Sequence, residues 1–210
     1  EKEMNSAYKK VLDDTYTFIN EFDGTQTVEE GQNGIVEIVR DERYSDKNID
    51  DIKADIGYTL LDINSDGVDE LIIAEKNDLQ ENNRILAIYT LKNNNLKLLD
   101  EGWSRKRLYL LDDNSIYNSG SNGAAYSIWG IYKINDSADG LETIDFYFTE
   151  YNDSKNDMYW YHNTTGKYDK NVSECLSLAS DNNSSITQKS TEYFNKARKL
   201  ELKYFDSYGK

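Results

Sequence analysis

Tyr58-Thr-Leu-Leu-Asp62-Ile-Asn64-Ser-Asp66-Gly67-Val-Asp-Glu70-Leu-Ile-Ile73 reads as a strand, a nine-residue acidic loop and a second strand. Oxygen-bearing side chains stand at loop positions one, three, five and nine: Asp62, Asn64, Asp66 and Glu70. A hard divalent cation takes about six to eight oxygen ligands, and alternate residues of a tight loop deliver them. Gly67 at position six permits a sharp turn. The Val68 carbonyl can add a ligand, Glu70 can close the site from the next strand, and water completes the shell. Three carboxylates this close repel one another unless a cation neutralises them. The spacing therefore predicts one Ca²⁺ held by Asp62, Asn64, Asp66, Val68 and Glu70. Mg²⁺ is the weaker candidate, because it demands six tightly placed ligands and keeps its waters. The bland alternative is a polar turn in an acidic, Asn-rich chain. An EF-hand would carry helices on both sides and its last acid at position twelve. Here the flanks, Gly57–Leu61 and Leu71–Ala74, are too short and too apolar for exposed helices, so the loop reads as a calcium hairpin.

Upstream, residues 3–22 have the periodicity of an amphipathic helix. Met4, Tyr8, Val11, Leu12, Phe18, Ile19 and Phe22 fall on one face, Lys9, Lys10, Asp13 and Asp14 lie opposite, and Asp23-Gly24 ends it. Ile35–Val39 is ambiguous between a short strand and a helical turn, and residues 47–55 read as a short helix leading into the hairpin. Downstream the pattern is mostly β. Hairpins are predicted around Asn93-Asn94-Asn95, around Asp112-Asp113-Asn114 and around Asp136–Gly140, with a last pair of Met158–His162 and a segment near Lys167. The tail returns to helix, weakly over residues 171–180 and more strongly over 186–199, with a closing strand over Leu200–Phe205. The fold class that fits is α+β: one domain over residues 1–210, an antiparallel β-sheet with an N-terminal helix, C-terminal helices and one calcium-loop hairpin.

At 210 residues the chain is long enough to bury a real core. Its 24 basic residues against 39 acidic ones give a formal charge of −15, which excludes a nucleic-acid partner because phosphate contacts need clustered Lys and Arg. The same charge suits a surface-exposed protein in a calcium-containing medium. No stretch approaches the ~18 apolar residues of a membrane span, so no transmembrane segment is expected. The chain opens with Glu1 rather than Met, from which a removed signal peptide or lipobox is expected. Cys175 is the single cysteine, which rules out an intramolecular disulfide, and its neighbours Val172, Leu176 and Leu178 suggest a buried, structural position.

The run from Ile56 to Ile73 resembles a recurrent segment of secreted and lipid-anchored proteins of low-GC Gram-positive bacteria, a group without a settled biochemical activity. Tyr89-Thr90, Trp103 with Arg105, and Gly120-Ser121-Asn122-Gly123-Ala124 also resemble that group, and the similarity covers roughly residues 5–150. The resemblance implies an extracellular or lipid-anchored location, side-chain ligation by Asp62, Asn64, Asp66 and Glu70, and a carbonyl ligand from Val68. Ser65 departs from the pattern, which usually has glycine there; a left-handed backbone is costlier for serine. The loop also resembles those of FG-GAP propeller repeats, but it occurs once, which argues against a propeller.

Other candidate sites are weaker. Gly120–Ala124 could form an anion-binding nest, with a plain turn as the simpler reading. Arg105 and Arg107 could pair with a carboxylate ligand, or, sharing one face if both lie on a strand, simply balance the acidic surface. His162 follows an aromatic run, Phe146, Tyr147, Phe148, Tyr151, Tyr159, Trp160 and Tyr161, that either builds the sheet core or presents a stacking surface for a glycan or a protein ligand. No catalytic residue is assigned. The sequence favours a calcium-binding extracellular binding or interaction domain without catalytic activity, calcium being structural. The alternative is a carboxylate-dependent hydrolase acting on extracellular glycans, which would need two carboxylates ~5–9 Å apart across a cleft.

Overall fold

The computed structural model describes residues 4–44, 47–77, 82–121, 123, 126–181 and 184–209. Helix α1 spans Ser6–Glu21, capped by the Asn5 side chain, which accepts from the Ala7 amide. Tyr8, Leu12, Thr15, Phe18 and Ile19 are its buried residues, a spacing of four, three, three and one that holds one face inward. On the other face, Lys9–Asp13 and Lys10–Asp14 pair at i,i+4. Residues 35–39 resolve as helical: they lie within α2, Asn33–Tyr44. Gly34 is required there by close approach, since a Cβ would stand 2.3 Å from the Gly102 carbonyl oxygen. Helix α3, Ile49–Asp55, begins with a capping box between Asn48 and Asp51.

The strands are β1 (Ile56–Leu61), β2 (Glu70–Glu75), β3 (Ile85–Lys92), β4 (Asn95–Glu101), β5 (Lys106–Leu110), β6 (Ile116–Ser121), β7 (Ser127–Ile134), β8 (Leu141–Asn152), β9 (Asp157–Asn163), β10 (Glu174–Leu178) and β11 (Lys203–Tyr204). All join one antiparallel sheet of order β10-β9-β8-β7-β6-β5-β3-β2-β1-β11, with β4 paired to β3. The α+β class and the three predicted downstream hairpins are as the sequence reading has them. Helix α4 covers Ser185–Phe194 and stops at the Asn195 cap, shorter than the expected 186–199.

Two expectations are overturned. Residues 174–178 are strand β10 rather than helix, and β9 pairs with them rather than with the segment near Lys167. Glu174, Leu176 and Leu178 follow the two-residue period of a strand, which outweighed the weak helical spacing. Cys175, on that same edge strand, is half-buried, with the Asn152 amide 3.5 Å and the Lys155 ammonium 3.6 Å from its sulfur.

Apolar clusters fill both faces. Helices α1, α2 and α3 pack with Leu71, Ile73 and Phe205, while Ile72, Ala74, Leu108, Leu110 and Ile134 form a second cluster. The strand β2 residues thus alternate between two cores, and β2 is buried on both sides. In the second half, α4 covers a face built from Tyr109, Tyr117, Trp129 and Tyr147. Strands β3 and β7 are three spacings apart, about 14 Å in a flat sheet. Lys92 at the end of β3 nevertheless reaches Asp139 in the β7–β8 turn at 2.6 Å, so the sheet is strongly curled. That curl brings the β7–β8 turn towards the acidic loop.

Candidate metal centre

The acidic loop hangs from a tight pair of strands. Leu61 stands opposite Glu70, so the turn opens directly after β1 and closes at the first residue of β2. Within it the side chains fold back onto the backbone. The Asp62 carboxylate accepts from the amides of Asp66 (3.1 Å) and Gly67 (3.0 Å). Asn64 Oδ1 lies 3.3 Å from the same Asp66 amide, and its Nδ2 donates to Asp66 Oδ2 at 3.0 Å. Asp66 Oδ1 accepts from the Val68 amide at 2.8 Å. The chain reversal that forms these bonds passes through two left-handed residues. Gly67 has φ +87° and Ser65 has φ +60°, a left-handed conformation that is costlier for serine than for glycine.

Glu70 behaves differently. Its side chain is completely buried, with Oε2 accepting from the Ile63 amide at 2.9 Å and Oε1 from the Thr90 hydroxyl at 2.9 Å. Burial pushes its carboxyl above the usual glutamate range, and the neighbouring Asp66 and Asp62 charges push the same way. Among the described residues no Lys, Arg or His forms an ion pair with Asp62, Asp66 or Glu70. Tyr8 of α1 donates to the Asp69 carbonyl at 2.7 Å, and burial raises its phenol far above the ordinary tyrosine range. The loop is thus fastened to β3 through Thr90 and to α1 through Tyr8. Neither contact was legible in the sequence.

The predicted ligands are only partly gathered. Asp62, Asn64 and Asp66 are linked to one another around the Asp66 amide, while Glu70 is turned beneath them towards Thr90. No group of three or more acidic, His or Cys side chains is close enough to hold an ion among the described residues. The donor chemistry nevertheless fits a hard cation: each carboxylate has about four lone-pair sites, and the amides and hydroxyl use one or two of them.

A cleft of about 490 Å³ opens beside the loop, with Asn64 and Asp66 on one wall and Asp113, Lys133 and Asp136 on others. The Ser115 hydroxyl and amide hold the Asp113 carboxyl below the usual aspartate range, the reverse of what a general acid needs. Most of the aromatic run builds core: Phe146, Tyr147, Phe148, Trp160 and Tyr161 are buried, whereas Tyr159 is half-buried and Tyr151 exposed. His162 lies tilted against Tyr147, ring centroids 4.4 Å apart, and hydrogen-bonds Asp145 at 2.8 Å. Of Gly120–Ala124, Asn122 and Ala124 lie outside the described residues.

Comparison with protein-family models, with curated proteins and with solved structures finds no match.

Proposed function

We propose that this chain is a calcium-stabilised binding or interaction module of the bacterial cell envelope, in which Ca²⁺ is structural. The observation that carries the reading is Glu70: a completely buried carboxylate, raised by its burial and by Asp62 and Asp66, with no cationic partner among the described residues. A buried charge is stable only when paired or metal-bound. A divalent ion held by Asp62, Asn64, Asp66, Glu70 and the Val68 carbonyl supplies that missing charge, since three carboxylates bring −3 and the ion +2. Through Thr90 and Tyr8 the same ion would fix the hairpin to β3 and α1. The extracellular or lipid-anchored location rests on the resemblance of the Ile56–Ile73 run to envelope proteins. The hydrolase alternative has the 490 Å³ cleft in its favour, and the lowered Asp113 carboxyl against it.

Calorimetric titration of the chelator-treated protein with Ca²⁺ tests the proposal. One site per chain is expected for the wild type, with the heat abolished by Asp66→Ala. A wild type that takes up no calcium ends the reading.

A further inference from the structure

On the face of β5 and β6 that α4 covers lies a second cleft, of about 320 Å³, lined by Arg107, Tyr109, Tyr117, Ser119, Ser190 and Phe194 among others. Its parts are set by register. Arg107 stands directly across from Ser119, and Tyr109 across from Tyr117, so strand alternation presents all four on one surface. Helix α4 supplies the far wall. The Phe194 ring meets Tyr109 edge-on at 5.1 Å, and Ser190 Oγ lies 2.8 Å from the Tyr117 hydroxyl.

Three polar groups here have no task in the fold. Tyr109 is 9% exposed, yet its phenol makes no hydrogen bond among the described residues. Ser119 makes no side-chain hydrogen bond among them either. Arg107 is exposed and forms no ion pair among them, although the chain holds 39 carboxylates for 24 cations. Glu75, whose field reaches Tyr109, is already held by Arg84 at 2.7 Å. Among the described residues no carboxylate lines the cleft.

We infer that this cleft binds a small sugar acid, with the ligand carboxylate on Arg107. A guanidinium presents a planar fork of donors that matches a carboxylate in bidentate fashion. The Tyr109 phenol and Ser119 hydroxyl lie where they can donate to or accept from ring hydroxyls, and Phe194 gives the ring an apolar wall. The cleft sits at the lower end of the about 300–1,000 Å³ that small-ligand sites occupy, which suits one sugar ring rather than a long chain. A peptide is disfavoured because β5 lies between β3 and β6, and β6 between β5 and β7, so no free strand edge is offered to a peptide backbone. A bare anion leaves the phenol and the aromatic wall unused. The site involves no residue of the acidic loop, so it stands or falls apart from the calcium reading.

The test is an NMR titration of the isotope-labelled full chain with sodium D-glucuronate, methyl β-D-glucopyranoside and inorganic phosphate. Glucuronate is expected to saturate with a Kd near about 1 mM, shifting the amides of residues 107–109, 117–119 and 190–194. Arg107→Ala weakens it at least about tenfold, and Arg107→Lys falls between because ammonium lacks the fork. Tyr109→Phe, which keeps the packing, is expected to weaken it by a smaller factor. The uncharged glucoside should not saturate over the same range. Absence of glucuronate shifts, equal binding of the glucoside, or an unchanged Kd in Arg107→Ala overturns the inference. Phosphate binding as tightly as glucuronate overturns the sugar assignment. Near-UV circular dichroism checks that each variant is folded.

Discussion

Glu70 concentrates the account in a single side chain. Its carboxyl is raised, so in the calcium-free protein its ionisation costs folding free energy at neutral pH. Glu70→Gln removes the charge and keeps the shape, and a glutamine can still accept from the Ile63 amide while its NH₂ faces Thr90. Without calcium, this variant is expected to be more stable than the wild type by roughly 1–2 kcal/mol. Urea unfolding in the presence of chelator measures it. The sign also fixes a pH dependence. For an acid whose folded pKa is raised, the penalty is present above that folded value and is relieved as pH falls through it towards the ordinary 4.5. Calcium-free wild type should therefore gain stability relative to Glu70→Gln as pH falls from neutral towards the ordinary glutamate value. Asp113, held low by Ser115, acts in the opposite direction: its stabilisation is present above the ordinary aspartate value and is lost at lower pH, outside that window. A difference between the two proteins that is flat with pH would show that Glu70 does not carry the buried charge.

At the scale of elements, the hairpin, α1 and the β5–β6 and β7–β8 hairpins were legible because each is defined by near neighbours: a two-residue or 3.6-residue period and a turn run between. Helix α2 was half-legible. Ile35, Val36, Ile38 and Val39 are all buried at helical spacing, but the run is only five residues long between Gly34 and the charged Arg40–Glu42. Strand β10 was missed because an edge strand borrows its pairing from β9, and no local signal states which partner is available. In the loop, the positions of the oxygen-bearing side chains could be read from spacing. Thr90 and Tyr8 could not, because they reach Glu70 and Asp69 across separations of 20 and 61 residues. The Tyr8 contact gives an element-scale prediction. Tyr8→Phe keeps the ring in its buried place and deletes the bond to the Asp69 carbonyl, so it should cost about 1 kcal/mol. It should also weaken calcium by a few-fold, since the loop loses its tie to α1. Unchanged calcium affinity in a variant of lowered stability would confine Tyr8 to packing.

For the whole molecule, the charge of −15 sets the outer limits. Several described basic residues are held in ion pairs, as in Lys92–Asp139, Lys170–Asp153 and Lys189–Asp145. No measurable DNA or RNA binding is expected at physiological salt; a salt-sensitive gel shift at micromolar protein would contradict this. No helix among the described residues is long and apolar enough to cross a membrane. One sheet carries both the acidic loop and the Arg107 cleft, so a gain in the order of the hairpin is expected to appear as a gain in overall stability. If calcium binds only the native loop, a concentration one hundred times its Kd adds about 2.7 kcal/mol. For a chain of this size that corresponds to roughly 5–10 °C in the unfolding midpoint. The decisive measurement is that midpoint, recorded with chelator and with excess calcium, for the wild type and for Glu70→Gln. The account predicts a rise of that order with calcium in the wild type, and a Glu70→Gln midpoint that starts higher in chelator and moves far less. A wild-type midpoint that is the same in chelator and in calcium would contradict it.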